Sequence, residues 1–192
     1  VHFAFLGTSG AVPSRERDTT SLVFVGAGES VLVDCGGSPL QELALAGVDP
    51  ATLSRVIITH IHPDRAYALP SLVQGLLLLG RKDPLRIACR AEHVDPLRAL
   101  VGVFRLLERP QMFPLAFDPV PARERVPVAD AGGFRITASP NAHGSMPNMA
   151  LRLILAHVDA EYHGELTPLA EAARARFAGP VEIARAFVPY PL

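Results

Sequence analysis

The chain has 192 residues and a mass of 20.5 kDa, a length that fits one domain spanning 1–192. With 49% hydrophobic and 19% charged residues it can bury a core, which excludes the disordered class. A net charge of −1 and a pI near 6.7 exclude a global basic field that would gather nucleic acid or an anionic membrane.

The opening VHFAFLGTSG has no basic segment ahead of its short apolar run, and reads as a first strand entering a Gly/Ser turn instead of a signal peptide. Ser21–Val25 and Ser30–Asp34 are β-branched runs separated by Gly26-Ala27-Gly28-Glu29, which predicts a hairpin. Ser38-Pro39 supplies an N-cap and a first-turn proline for a helix that Gly47 ends. Arg55–Thr59 is a buried strand running into HIHPDR. Ala66 to Leu79 is too long and apolar for a strand and predicts a buried helix closed by Gly80. Pro70, Gln74 and its length keep that stretch short of the ~20 residues of a membrane span.

The alternation continues beyond it. Leu85–Cys89 predicts a strand, Glu92–Leu107 a helix over most of its length, and Phe134–Ser139 a strand. Prolines confine any strand between Pro110 and Pro127 to a sheet edge. Asn148–Val158 is apolar and long for one strand, Thr167-Pro168 caps a last helix, and VEIA is a closing strand. Hairpins followed by strand–helix alternation predict an α/β sheet covered by helices. Cys35 and Cys89 offer no disulfide framework and no CxxC, so the expected compartment is the cytoplasm.

The chemistry concentrates at Thr59-His60-Ile61-His62-Pro63-Asp64, where a buried strand ends. In an extended loop alternate residues point the same way, so His60, His62 and Asp64 can converge while Ile61 turns to the core. Two imidazoles and a carboxylate suit a divalent ion such as zinc. His143, in the loop SPNAHGSMPN, and His157, after LILA, also stand where strands give way to loops, at the carboxyl ends where such sheets place ligands. Nitrogens bound to one zinc at ~2.0–2.1 Å must lie within ~4 Å of each other. His2, His93 and His163 lack this placement and read as ordinary surface or core histidines.

Taken together, FLGTSGAVPSRERDTTSLVF, VLVDCGG, THIHPDR followed by ALPSLVQGLLLLGR, and LILAHVDAEY resemble the metallo-β-lactamase superfamily, and within it the ribonuclease Z branch of zinc phosphodiesterases that trim tRNA 3′ ends. The resemblance covers almost the whole chain. It implies a four-layer αββα sandwich with the metal site at one sheet edge. It implies that His60, His62 and His143 hold one zinc and that Asp64 and His157 belong to a second, with manganese as an alternative metal. It also implies that a shared hydroxide attacks phosphorus, that Asp64 orients or deprotonates that water, and that Asp34 in VDCGG supports the site through hydrogen bonds.

The departures from the family pattern are equally specific. Arg65 stands where the family's HxHxDH has its final histidine, and a guanidinium has no lone pair for a metal. Two roles are open to it: a fixed charge beside a phosphate, which would make it catalytic with Asp64, or an ion pair with Asp64 or another carboxylate in a dead site. The segment carrying the family's bridging aspartate has no counterpart, because NMALRL runs straight into ILAHV at Leu153–Ile154. About a helix and two or three strands of the second half are absent there; either the protein is shortened or the chain lacks residues. The arm that grips tRNA would fall in the same stretch.

The leading expectation is a metal-dependent hydrolase, a phosphodiesterase acting by metal-activated water with one or two ions, and at most one tightly held if no residues are missing at Leu153–Ile154. Its expected partners are a phosphodiester substrate such as RNA, no membrane, and a second copy in a homodimer. The alternatives are a non-catalytic relative that keeps the fold for binding, and a metal-binding or structural protein in which the histidines never meet.

Overall fold

The computed structural model describes residues 2–131, 134–141, 143–151 and 186–191. The first strand, β1 (His2–Gly7), pairs antiparallel with β2 (Ser21–Val25), and β2 with β3 (Ser30–Val33). The β2–β3 hairpin turns through Gly28, whose φ of 73° is a left-handed conformation that glycine adopts without strain. From β3 the sheet becomes parallel through β4 (Leu53–Ile58), β5 (Leu85–Arg90) and β6 (Leu115–Val120). The proline-containing β6 is an edge strand, as its sequence requires. The other edge is β10 (Pro189–Pro191), which pairs with β1 and completes a seven-stranded sheet in the order β10-β1-β2-β3-β4-β5-β6. A second sheet holds β7 (Val126–Ala131), β8 (Phe134–Asn141) and β9 (Asn148–Leu151), all antiparallel.

Period-2 alternation sorts the large sheet's side chains into two cores. Ala4, Leu6, Leu32, Val56 and Ile58 face one way and pack with Leu43, Leu69, Leu72, Leu76, Leu97 and Val101. The last six belong to the helices α1 (Pro39–Leu45), α3 (Leu69–Leu78) and α4 (Val94–Val103). Phe3, Phe5, Phe24, Val31, Val33 and Ile57 face the opposite way and meet Phe134, Ile136, Ala138 and Met149 of the small sheet. Helices, large sheet and small sheet are thus three successive layers. The expected last helix, the VEIA strand, the Leu153–Ile154 join, His157 and His163 lie outside the described residues.

Two local expectations need correction, and a third is met with an early stop. The apolar run from Ala66 to Leu79 is not one helix: the short α2 (Pro63–Ala66) precedes it, and α3 starts afresh at Leu69-Pro70. The helix expected over most of Glu92–Leu107 is present as α4; it stops at Val103, and Arg105 takes a left-handed φ of 54° before a 3-10 turn. The Ser38 side chain makes no cap hydrogen bond; its backbone N–H instead donates to Glu42 Oε1 at 3.0 Å. Among the described residues, no helix is long and apolar enough to cross a membrane.

Candidate metal centre

The site is built at the carboxyl end of β4, where the parallel part of the sheet ends. Neighbouring β3 stops at Val33, and Asp34 follows with φ 60°, which turns its carboxylate back toward the end of β4. Thr59 meets it there. Its backbone N–H donates to Asp34 Oδ1 at 2.8 Å, and its hydroxyl lies 2.9 Å from both carboxylate oxygens. A carboxylate can only accept, so the hydroxyl donates to Asp34 and its oxygen is left to accept from His60 Nδ1, 3.1 Å away. This chain of bonds selects the His60 tautomer with Nε2 unprotonated, the form a metal requires. Burial pushes Asp34 up to about 6, against the lowering influence of Arg65 and the Thr59 hydrogen bonds. Sequence reading gives Thr59 no role; the signal was a hydroxyl residue directly before the HxH pair.

His62 follows the partly buried Ile61, and His143 comes from the other sheet, just beyond β8. Gly144 at φ 59° folds the chain back sharply, and Met146 N–H donates to the His143 carbonyl at 3.1 Å. Nearby, the Met149 N–H of β9 donates to the Thr59 carbonyl at 3.1 Å, tying the small sheet to the end of β4. The three imidazoles meet as a result. Their ring centroids are 4.7 Å apart for His60–His62, 4.6 Å for His60–His143 and 4.9 Å for His62–His143. His143 Nε2 lies 3.2 Å from His62 Nδ1, inside the ~4 Å that a shared zinc imposes. The complete set of donor atoms lies within 4.8 Å, a looser grouping than the ~4 Å expected of nitrogens sharing one zinc. His60 is held down to about 4, first by burial and then by the charge of Arg65 and its histidine neighbours. It therefore stays neutral, with a lone pair available, through the physiological range. The reading in which these histidines never meet is excluded.

Asp64 does not take the place that alternation gave it. Pro63 sets φ for a helical turn, so the chain leaves the extended conformation after His62 and Asp64 sits in the first turn of α2. Its carboxylate lies outside the group formed by the three histidines and pairs with Arg65, whose Nε is 3.1 Å from Asp64 Oδ2. Arg65 NH1 donates to the Thr20 carbonyl at 2.8 Å and lies 3.8 Å from Asp34 Oδ2. Only 6% of the Arg65 side chain is exposed, and its guanidinium stands among Asp64, Asp34 and the Thr20 carbonyl.

As a donor set, three imidazoles meeting at a strand end fit one divalent ion. Comparison with known proteins agrees with the geometry. The family model of the metallo-beta-lactamase superfamily matches residues 15–76. Ribonuclease Z of Methanothermobacter thermautotrophicus is 35% identical over 150 residues, 76% of this chain and 45% of that protein. The chain belongs to the metallo-beta-lactamase superfamily.

Within that superfamily its sequence falls in the ribonuclease Z-like branch. Ribonuclease Z of Bradyrhizobium diazoefficiens is 34% identical over 140 residues, 72% of this chain and 45% of that protein. This metallo-beta-lactamase chain thus spans about half the length of the relatives it matches. In structure it is similar to the short form of human tRNase Z, with a TM-score of 0.65 at 21% identity over 79% of this chain and 62% of that one. It is also similar to the metallo-beta-lactamase fold protein YhfI of Bacillus subtilis, with a TM-score of 0.59 at 21% identity over 80% and 57%. These likenesses identify the fold.

Proposed function

We propose that the chain carries the metal-binding part of a zinc-dependent hydrolase, a phosphodiesterase of the ribonuclease Z kind acting on RNA. The observation that supports this reading is the meeting of His60, His62 and His143 from two sheets, with donor atoms within 4.8 Å. A divalent ion held there supplies Lewis acidity and a bound water of lowered pKa. The protein's own groups do the positioning. Thr59 and Asp34 fix the tautomer and ring angle of His60, and the Gly144 turn presents His143 at the exposed rim. Asp34, Asp64 and Arg65 form a buried charged group beneath the histidines. Three imidazoles favour zinc over manganese, which prefers carboxylate, carbonyl and water oxygens.

A second reading, a non-catalytic member that binds RNA, is favoured by one observation: the carboxylate that would serve as a base is already paired with Arg65. Metal content, turnover of bis(p-nitrophenyl) phosphate and binding of a precursor tRNA separate the two. The hydrolase reading expects bound zinc and turnover that falls at least a hundredfold in His60→Ala and His143→Ala. Zinc and RNA binding without turnover of either phosphodiester would establish the second reading.

A further inference from the structure

We infer that Arg65 is a built-in counter-cation that withdraws Asp64 from the three histidines, so that this centre takes a single divalent ion on His60, His62 and His143 and no second ion beside it. The inference rests on the metal-centre reading and adds to it the number of ions and the identity of their ligands.

Position is the first argument. Asp64 follows His62 by two residues, yet its carboxylate is absent from the close donor group and lies against Arg65 Nε at 3.1 Å. The arrangement is fixed by backbone as well as by charge. The Arg65 carbonyl accepts from Cys35 N–H at 2.6 Å, and the Cys35 carbonyl accepts from Ala68 N–H at 3.0 Å. The α2 turn is therefore latched to the Asp34–Gly37 loop. Gly36 packs so closely on the Asp64 carbonyl that a Cβ there would collide with it. The latch fixes the α2 backbone, and the Thr20 carbonyl, accepting from NH1 at 2.8 Å, holds the guanidinium inward.

Charge is the second argument. The guanidinium is shared between Asp64, at 3.1 Å, and Asp34, at 3.8 Å, with the Thr20 carbonyl accepting from NH1 at 2.8 Å. A divalent ion held by Asp64 would sit beside a buried cation that cannot lose its proton, in surroundings that screen poorly. One permanent positive charge thus occupies the place where a second ion would otherwise balance these two carboxylates. The first ion keeps three neutral imidazoles and no anionic ligand from this loop. It therefore retains its full charge for an anionic substrate.

The test measures binding, independent of turnover. The chain is stripped of metal, titrated with zinc and separately with cobalt, and its metal content is read by mass spectrometry after dialysis. One equivalent is expected. Asp64→Asn preserves the size of the side chain and is expected to keep one equivalent, a zinc affinity within about threefold, and the visible spectrum of the cobalt form. Arg65→Gln frees the carboxylate and is expected to tighten zinc at least tenfold and alter the cobalt spectrum. Should Arg65→Gln fail to fold, the wild-type stoichiometry and Asp64→Asn still decide the matter. Two tightly held equivalents in the wild type overturn the inference while leaving the metal centre intact. So does a loss of affinity above tenfold in Asp64→Asn, the scale of losing a supporting or direct ligand group, or unchanged affinity in a folded Arg65→Gln. Zero equivalents in the wild type, or one that survives His62→Ala unchanged, would instead defeat the metal-centre reading on which the inference stands.

Discussion

One hydroxyl, that of Thr59, joins the carboxylate of Asp34 to the ring of His60. Removing it should act in two separable ways. Thr59→Val keeps the β-branched shape that suits the strand end, but leaves the His60 Nδ1–H without its acceptor and removes one of two donors to a buried carboxylate. We expect a stability loss of about 1–3 kcal/mol, read by urea denaturation, because a buried group loses its partner. We also expect zinc affinity to fall about tenfold to a hundredfold, as for other groups that orient a metal-binding imidazole. Thr59→Ser, which retains the hydroxyl, should restore the affinity. If Thr59→Val bound zinc as tightly as the wild type, the hydroxyl would have no part in orienting His60.

At the level of elements, the site depends on a change of conformation within five residues. β4 ends extended at Ile58, Ile61 packs on the same helix-side core as Ile58, and Pro63 then turns the chain into α2 just after His62. The glycines beside it show how tightly that turn is packed. A Cβ on Gly36 would meet the Asp64 carbonyl oxygen and the Thr19 hydroxyl, so Gly36→Ala must push α2 away from the Asp34 loop. The expected cost is about 1–3 kcal/mol, the range of overpacking a fitted site. Gly102, late in α4, has open space around the same position. Gly102→Ala should therefore stabilise the chain by about 0.5–1 kcal/mol through helix propensity and a less flexible unfolded state. Urea midpoints for the two variants that move in the same direction would contradict this account.

The stability of the whole molecule should carry a pH dependence set by buried groups. Glu42 is buried in α1, where it accepts from Ser38 N–H at 3.0 Å and from the Ser21 hydroxyl at 3.3 Å. Burial, reinforced by the nearby Asp18, raises it from the ordinary 4.5 to about 7. Between these values the folded chain holds a proton that the unfolded chain has released. Its contribution is therefore full below about pH 4.5 and is lost as pH rises through about 7. Asp34, raised from 3.8 to about 6, acts in the same direction over its own window. His60, lowered from 6.5 to about 4, acts oppositely and removes stability as pH falls through that range. In Glu42→Gln the decline between pH 5 and 8 should shrink by an amount on the order of 1–3 kcal/mol, measured by denaturation at both pH values. Parallel pH profiles for the two proteins would assign the slope to other groups.

Much of this was legible in local sequence, because periodicity and turn chemistry are local properties. The alternation in HFAFL and SVLV determined which side chains face each core, and the prolines near Leu115–Val120 determined an edge strand. The histidine pair at a strand end, together with a third in a loop after another strand, marked the candidate donors by type and position. What the sequence could not determine was distance between elements. His62 and His143 are 81 residues apart in the chain and 3.2 Å apart in space, because the two sheets stack and β9 bonds to the Thr59 carbonyl. Nor could it show that Thr20, Asp34 and Asp64 stand around the one guanidinium of Arg65. Alternation pointed Asp64 at the histidines; Pro63 instead placed it in the first turn of α2, against Arg65. Residue types and their spacing follow from the chain alone, whereas the pairing of buried charges is decided only when packing removes water and leaves each charge the partners within its reach.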